Sequence, residues 1–134
     1  MPQDYAQAVT WYRKAAEQGN AAAQWGLGLL YVRGQGIPQD YTQADGWFRK
    51  AAEQGRADAQ FHLGLACEAG LGVPQDYEEA YFWLDLAAAS LTGDDLDKAV
   101  KSRNFAASHL TPADLSREQE RARQWFEDHP AKPQ

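Results

Sequence analysis

Apolar and polar positions along this chain follow a helical period. In the opening segment Tyr5, Ala8, Tyr12, Ala15 and Ala16 recur at spacings of three and four, which gathers them on one face of a helix. Asp4 stands just before that segment and Gln7 three residues on, the pattern of a capping box. Gly19 ends the helix, because glycine enters the left-handed conformation at no steric cost. A second apolar stretch from about Ala21 to Arg33, with Leu27 and Tyr31 inward, predicts a partner helix. Beyond it Gly34-Gln35-Gly36-Ile37-Pro38 reads as a turn in which proline forbids further helix.

The whole unit then starts again. PQDY occurs at Pro2, Pro38 and Pro74, a period of 36 residues, and residues 2–37 match 38–73 at 22 of 36 positions. The copies supply caps at Asp40 and Asp76 with Gln43 and Glu79, a stop at Gly55, a second helix from about Ala57 to Ala69 with Leu63 and Cys67 inward, and a turn at Gly70–Pro74. Gly28 and Gly64 recur in mid-helix at a cost of roughly 1 kcal/mol each against alanine, which predicts the close approach of a neighbouring helix. After Ser90 the pattern diverges. Asp94 is expected to cap a helix of about 95–109, and Thr111-Pro112-Ala113-Asp114 to open a last helix reaching about Asp128. Leu115, Ala122, Trp125 and Phe126 fall on one side of it, with Arg117, Glu118, Glu120, Arg121 and Arg123 mostly on the other, as suits a cover for the open apolar face of the last repeat.

Identical turns give identical rotations between units, so the expected fold is all-α, a solenoid of helix pairs. The division is repeat 1 at residues 1–37, repeat 2 at 38–73, a divergent repeat 3 at 74–110, a C-terminal capping helix at 111–129 and a frayed tail at 130–134.

Composition narrows the function. With 134 residues and 44% hydrophobic content the chain can bury a core, which excludes a disordered segment. Thirteen Lys and Arg against 19 Asp and Glu give a net charge of -6, which disfavours a nucleic acid partner. No apolar run approaches the roughly 18 residues of a membrane span, so no direct membrane insertion is expected. The opening MPQDYAQAV is neither basic nor apolar and does not read as a signal peptide.

Candidate chemistry reduces to structural roles. His62, His109 and His129 have no i, i+4 partner or neighbouring cysteine, so no metal or other cofactor is expected. Cys67 occupies the repeat position of Tyr31, which predicts a buried, inert thiol, and as the single cysteine it makes no internal disulfide. The Gly-x-Gly pairs follow no strand and read as turns rather than phosphate loops. Asp40, Asp76 and Glu79 fall at cap positions in successive repeats rather than as an acid-base cluster. The recurring Trp-[Tyr/Phe] pairs at Trp11 and Trp47, with Trp83 in the same phase, could line a groove, but aromatics at helical spacing ordinarily pack inward and are expected in the core.

The unit Ala-x-x-Trp-[Tyr/Phe]-x-x-Ala-Ala-x-x-Gly, then Ala-x-x-Leu-Gly, then Gly-x-Gly-[Ile/Val]-Pro-x-Asp resembles the Sel1-like repeat, a relative of the tetratricopeptide repeat, over about residues 2–90. The tail LTPADLSREQERARQW is similar to the closing segment of bacterial Sel1-like proteins. The resemblance implies a right-handed α-α superhelix acting as an adaptor or scaffold for a protein or peptide, without catalysis, in a bacterial cytoplasm or periplasm. Cys67, Arg56 where Asn20 stands in the first copy, and Gly46 inside a helix depart from the pattern. Some cysteine-rich relatives are linked to β-lactam hydrolysis, but they carry a cysteine pair in each repeat, which a lone Cys67 does not match.

At 100° per residue, positions 7, 10 and 14 lie opposite the core stripe of the first helix. Because the first helices of tetratricopeptide-like pairs line the concave side, the resemblance places Gln7, Thr10, Lys14, Gln43, Gly46, Lys50, Glu79 and Phe82 in a groove. Two readings stay open: a contact surface for a peptide, or a tail helix covering Phe82 and Leu86 with the remainder solvated. The first helix has no predicted neighbour before it, so the side formed by Tyr5, Val9 and Tyr12 is expected to be partly bare. That end would serve self-association, or mark the chain as a piece of a longer array.

Overall fold

The computed structural model describes residues 4–130. Met1 and Pro2, the start of the repeat phase, and residues 131–134 of the expected frayed tail lie outside the described residues. Seven α-helices and no strand form among those described: α1 (Tyr5–Glu17), α2 (Ala21–Arg33), α3 (Tyr41–Glu53), α4 (Ala57–Ala69), α5 (Tyr77–Ala88), α6 (Gly93–Ala107) and α7 (Pro112–Asp128). Each packs chiefly on its chain neighbours up to α6, the connectivity of a helical solenoid.

Local chemistry sets the helix ends. Asp4, Asp40 and Asp76 accept from the backbone N–H groups of Gln7, Gln43 and Glu79 at 3.0–3.1 Å. The reciprocal half of the capping box is not made among the described residues: Glu79 accepts from Trp83 Nε1 at 3.2 Å and from Arg121 Nη1 at 2.7 Å instead. Asn20 caps α2 through Ala23 N–H at 2.8 Å, whereas Arg56 caps α4 with no side-chain bond. Gly34 and Gly70 end α2 and α4 at φ of 65° and 72°. The sixth helix begins earlier than expected, at Gly93 with Thr92 as its cap, so that Asp94 and Asp95 sit in the first turn, where an acid suits the helix dipole.

Two apolar clusters form the interior. One joins α1, α2 and α3 through residues such as Val9, Leu27, Tyr31 and Phe48; the other joins α3 to α7 around Leu63, Cys67, Trp83, Leu84 and Leu86. The mid-helix glycines mark where successive pairs meet: Phe48 lies against Gly28 and Leu84 against Gly64. Buried Gln24 and Gln60 donate to Ala16 O and Ala52 O, each at 3.2 Å, and so satisfy carbonyls at the ends of α1 and α3. Gln54 Nε2 donates to Gly19 O and to Gln24 Oε1, both at 2.9 Å, tying the two pairs together.

The last helix leaves the solenoid path. Its helical partner is α5, and it lies over the side of that helix that carries Glu78, Glu79 and Phe82. Arg117 pairs with Glu78 and Arg121 with Glu79, each at 2.7 Å, while the Arg121 guanidinium sits 3.7 Å above the Phe82 ring. The inward side of α7 therefore differs from its apolar pattern. Glu118 is buried and bonded to Arg121 at 3.1 Å, whereas Phe126, expected inward, is exposed.

Candidate protein-binding surface

The row of positions 7, 10 and 14 recurs at the equivalent places of α1, α3 and α5. Gln7, Thr10 and Lys14 on α1 and Gln43, Gly46 and Lys50 on α3 are all exposed. Neither lysine has an ion-pair partner among the described residues. Beside the row run two shallow depressions. One on α1, of ≈ 380 Å³, is lined by Val9, Thr10, Arg13, Lys14, Glu17 and Gln18. One on α3, of ≈ 240 Å³, is lined by Thr42, Gln43, Gly46, Trp47 and Lys50, with the Lys50 ammonium 4.8 Å from the Trp47 ring centre.

On α5 the row is occupied. Phe82 is 3% exposed, under Arg121, and Leu86 is fully buried, so neither faces a partner. Glu79 is half-buried and bonded to Arg121 and Trp83. The third stretch of the expected groove is thus filled by α7, and Glu79 and Phe82 serve the intramolecular contact instead.

The tryptophans were expected in the core, and only Trp83 is fully there. Trp11 is 65% exposed, Trp47 half-buried and Trp83 2% exposed, because each packs toward the pair before it, and Trp83 also meets Phe82 and Arg49. Trp11 has no such neighbour among the described residues. Tyr12 follows suit at 41%, where its repeat equivalents Phe48 and Leu84 are buried. Together with Ala15, Ala22, Gly26 and Leu29 these two rings border a depression of ≈ 620 Å³. Val9, by contrast, is buried, because it turns into the α1–α3 cluster, and it does not belong to the bare side. Trp11 and Trp47 are thus the candidate contact residues that the helical pattern assigned to the core; their offsets of +1 and +4 from the row of positions 10 and 7 place them beside it.

The remaining reactive side chains are accounted for by packing. Cys67 is buried, and burial followed by the nearby Glu79 pushes its thiol up to about 11. His62 sits among Trp25, Phe48 and Phe61, and burial holds its imidazole below the usual histidine range. His109 stacks on Tyr77 and His129 on Trp125. Among the described residues no three His, Cys, Asp or Glu side chains are grouped to hold a metal, and no helix is long and apolar enough to cross a membrane.

The model of the Sel1 repeat matches residues 1–20, 21–55, 57–90 and 106–127. Its inner units couple α2 with α3 and α4 with α5, and its last unit falls on α7. Among solved structures the chain is similar to c5321, a protective antigen of uropathogenic Escherichia coli strains with an SLR fold, at 37% identity and a TM-score of 0.83 over 96% of this chain and 27% of that one. It is also similar to a Sel1 repeat protein from Oxalobacter formigenes, at 46% identity and a TM-score of 0.60 over 62% of this chain and 63% of that one. The chain thus spans about a quarter of the length of the first and under two thirds of the second. No curated protein matches it.

Proposed function

The chain belongs to the Sel1 repeat family, and from that premise we propose a non-enzymatic binding module that takes an acidic segment of a partner protein along α1 and α3. Sel1 repeat proteins are generally protein-interaction scaffolds. The observation that carries the reading is α7. It is a helix seated on the row of α5, held by Arg117 and Arg121 against Glu78 and Glu79, while the equivalent row on α1 and α3 is open and basic at Lys14 and Lys50. A surface shaped to receive a helix on α5 has the same backbone geometry one and two pairs away, and reversal of its charge calls for a partner of opposite sign.

The lysines supply selectivity more than affinity, since exposed ion pairs contribute about 0–1 kcal/mol. Affinity would come from Trp47 and Trp11, rings that lose exposed apolar surface under a partner. The chain's net charge of -6 opposes an acidic partner at long range, but screening over about 8 Å at physiological salt leaves the local lysines dominant. Catalysis forms no part of the proposal, because Cys67, the one nucleophile of interest, is buried and its pKa is raised by that burial and by the nearby Glu79. The test is affinity capture from a bacterial lysate with the native chain and with Lys14→Glu plus Lys50→Glu. A partner held by the first and released by the second supports the groove; identical captures refute it.

A second reading has its own observation, the exposed Trp11 and Tyr12 at the N-terminal end of the stack. That face would pair with another molecule, isologously in a closed dimer. Light scattering over a concentration series, with Trp11→Lys plus Tyr12→Lys as the disrupting variant, separates it from the groove.

A further inference from the structure

Between α2 and α4, with α3 as its floor, lies a cavity of ≈ 250 Å³ that no part of the groove reading uses. Its walls are apolar and aromatic, contributed chiefly by Val32, Tyr41, Phe48, His62, Leu65 and Leu71. One carboxylate interrupts them. Asp45 lines the cavity, is 5% exposed, and its Oδ2 has no hydrogen-bond partner. A buried carboxylate without a donor is costly, and native chains keep such groups where a ligand or a mechanism compensates.

The repeats supply an internal control. Position 45 corresponds to Val9 in the first copy and Tyr81 in the third, both buried. The fold therefore accepts uncharged residues at this position, and in this copy the enclosed Oδ2 lies against Gly72 without a donor. Nor does the chain neutralise it. Arg49, one turn further along α3, makes no ion pair with Asp45, and its guanidinium lies 5.7 Å from the centre of the Trp83 ring. The imidazole of His62, facing the same cavity, is held toward its neutral form by burial.

We propose that this cavity binds a small organic ammonium, its aromatic or aliphatic stem lying among Tyr41, Phe48 and Leu65 and its N–H groups donating to the Asp45 carboxylate. The volume falls below the roughly 300 Å³ at which drug-sized sites begin, which suits a compact amine. The rings add attraction for a cation beyond their apolar area. A charge-assisted hydrogen bond in a site with little water is the interaction that would make the ligand selective.

The experiment is an NMR titration of the chain with phenethylamine at neutral pH, read on the methyl signals of Val32, Leu65 and Leu71, with 2-phenylethanol as the uncharged isostere. The proposal expects saturable shifts at those methyls, binding about tenfold or more weaker for the alcohol, and a similar loss in Asp45→Asn. Asp45→Val, which installs the residue of the first copy, gives a second variant should the amide unfold the chain. Absence of methyl shifts, equal binding of amine and alcohol to the native chain, or undiminished amine binding by either folded variant would overturn it.

Discussion

Phe48 lies so close to Gly28 that a methyl group on residue 28 would come within 2.4 Å of Phe48 Cε1. Leu84 stands in the same relation to Gly64, at 2.7 Å from its Cγ. At Gly46 an added methyl would meet nothing within 4 Å. Gly28→Ala should therefore destabilise the fold by about 1–3 kcal/mol through overpacking, despite the gain in helix propensity. Gly46→Ala should stabilise it by up to about 1 kcal/mol. Urea midpoints of the two variants check both, and the opposite order would mean that the glycines do not set the spacing of the pairs.

Cys67 is sealed under α5 with its thiol pushed up to about 11. It should react with a thiol reagent slowly in buffer and rapidly in denaturant at the same pH. Fast native labelling, followed by mass spectrometry, would show an open path to the second cluster.

Much of the fold was legible because each helix carries its own start and stop. Helices α1 to α4 begin and end where Asp4, Asn20, Asp40 and the glycines predict, and α7 begins at Pro112 as expected. Reading failed where burial depends on a neighbour that the local pattern does not contain. Trp11 and Trp83 share one repeat position, yet one is exposed and the other buried, because among the described residues only the second has a pair before it and α7 beside it. Glu118 and Arg121 look like solvent positions on a wheel; Glu79 and the ring of Phe82 on α5 draw the Arg121 guanidinium over α5, and Glu118 is buried beside it as its second ion-pair partner. Asp45 gave no signal at all, since a single acid in a helix reads as surface.

Burial raises Asp45 from the ordinary 3.8 to about 6, against the opposing pull of Arg49. The folded state thus favours the protonated acid, and the stability this confers is present below pH 4 and lost as pH rises through 6. Asp45→Asn should match the native chain near pH 4 and exceed it by about 1–3 kcal/mol near pH 7.5. Arg49, Cys67 and the His62 and Tyr41 that share the cavity with Asp45 are common to both proteins, so the difference isolates the carboxyl. A thermal melt of each at the two pH values checks this; an equal gain at both would contradict it.

Removing residues 111–134 takes α7 from α5 and uncovers Phe82, Trp83 and Leu86, now buried. The shortened chain should melt earlier and associate. A thermal melt and sedimentation, each with the full chain as reference, read the two effects, and an unchanged association state with an unchanged melt would mean that α7 contributes nothing to the cover.

The claim that the open row of α1 and α3 receives a partner is tested most directly by site-specific photo-cross-linking in the bacterial cell. A photoreactive residue is placed at Thr10, Gln43 or Lys50 on the row, or at the exposed Arg33 or Lys101 on the second helices. The account predicts one partner adduct from the row positions, lost when Lys14→Glu is added, and none from Arg33 or Lys101. Adducts from Arg33 or Lys101 alone, or row adducts indifferent to Lys14→Glu, would contradict it.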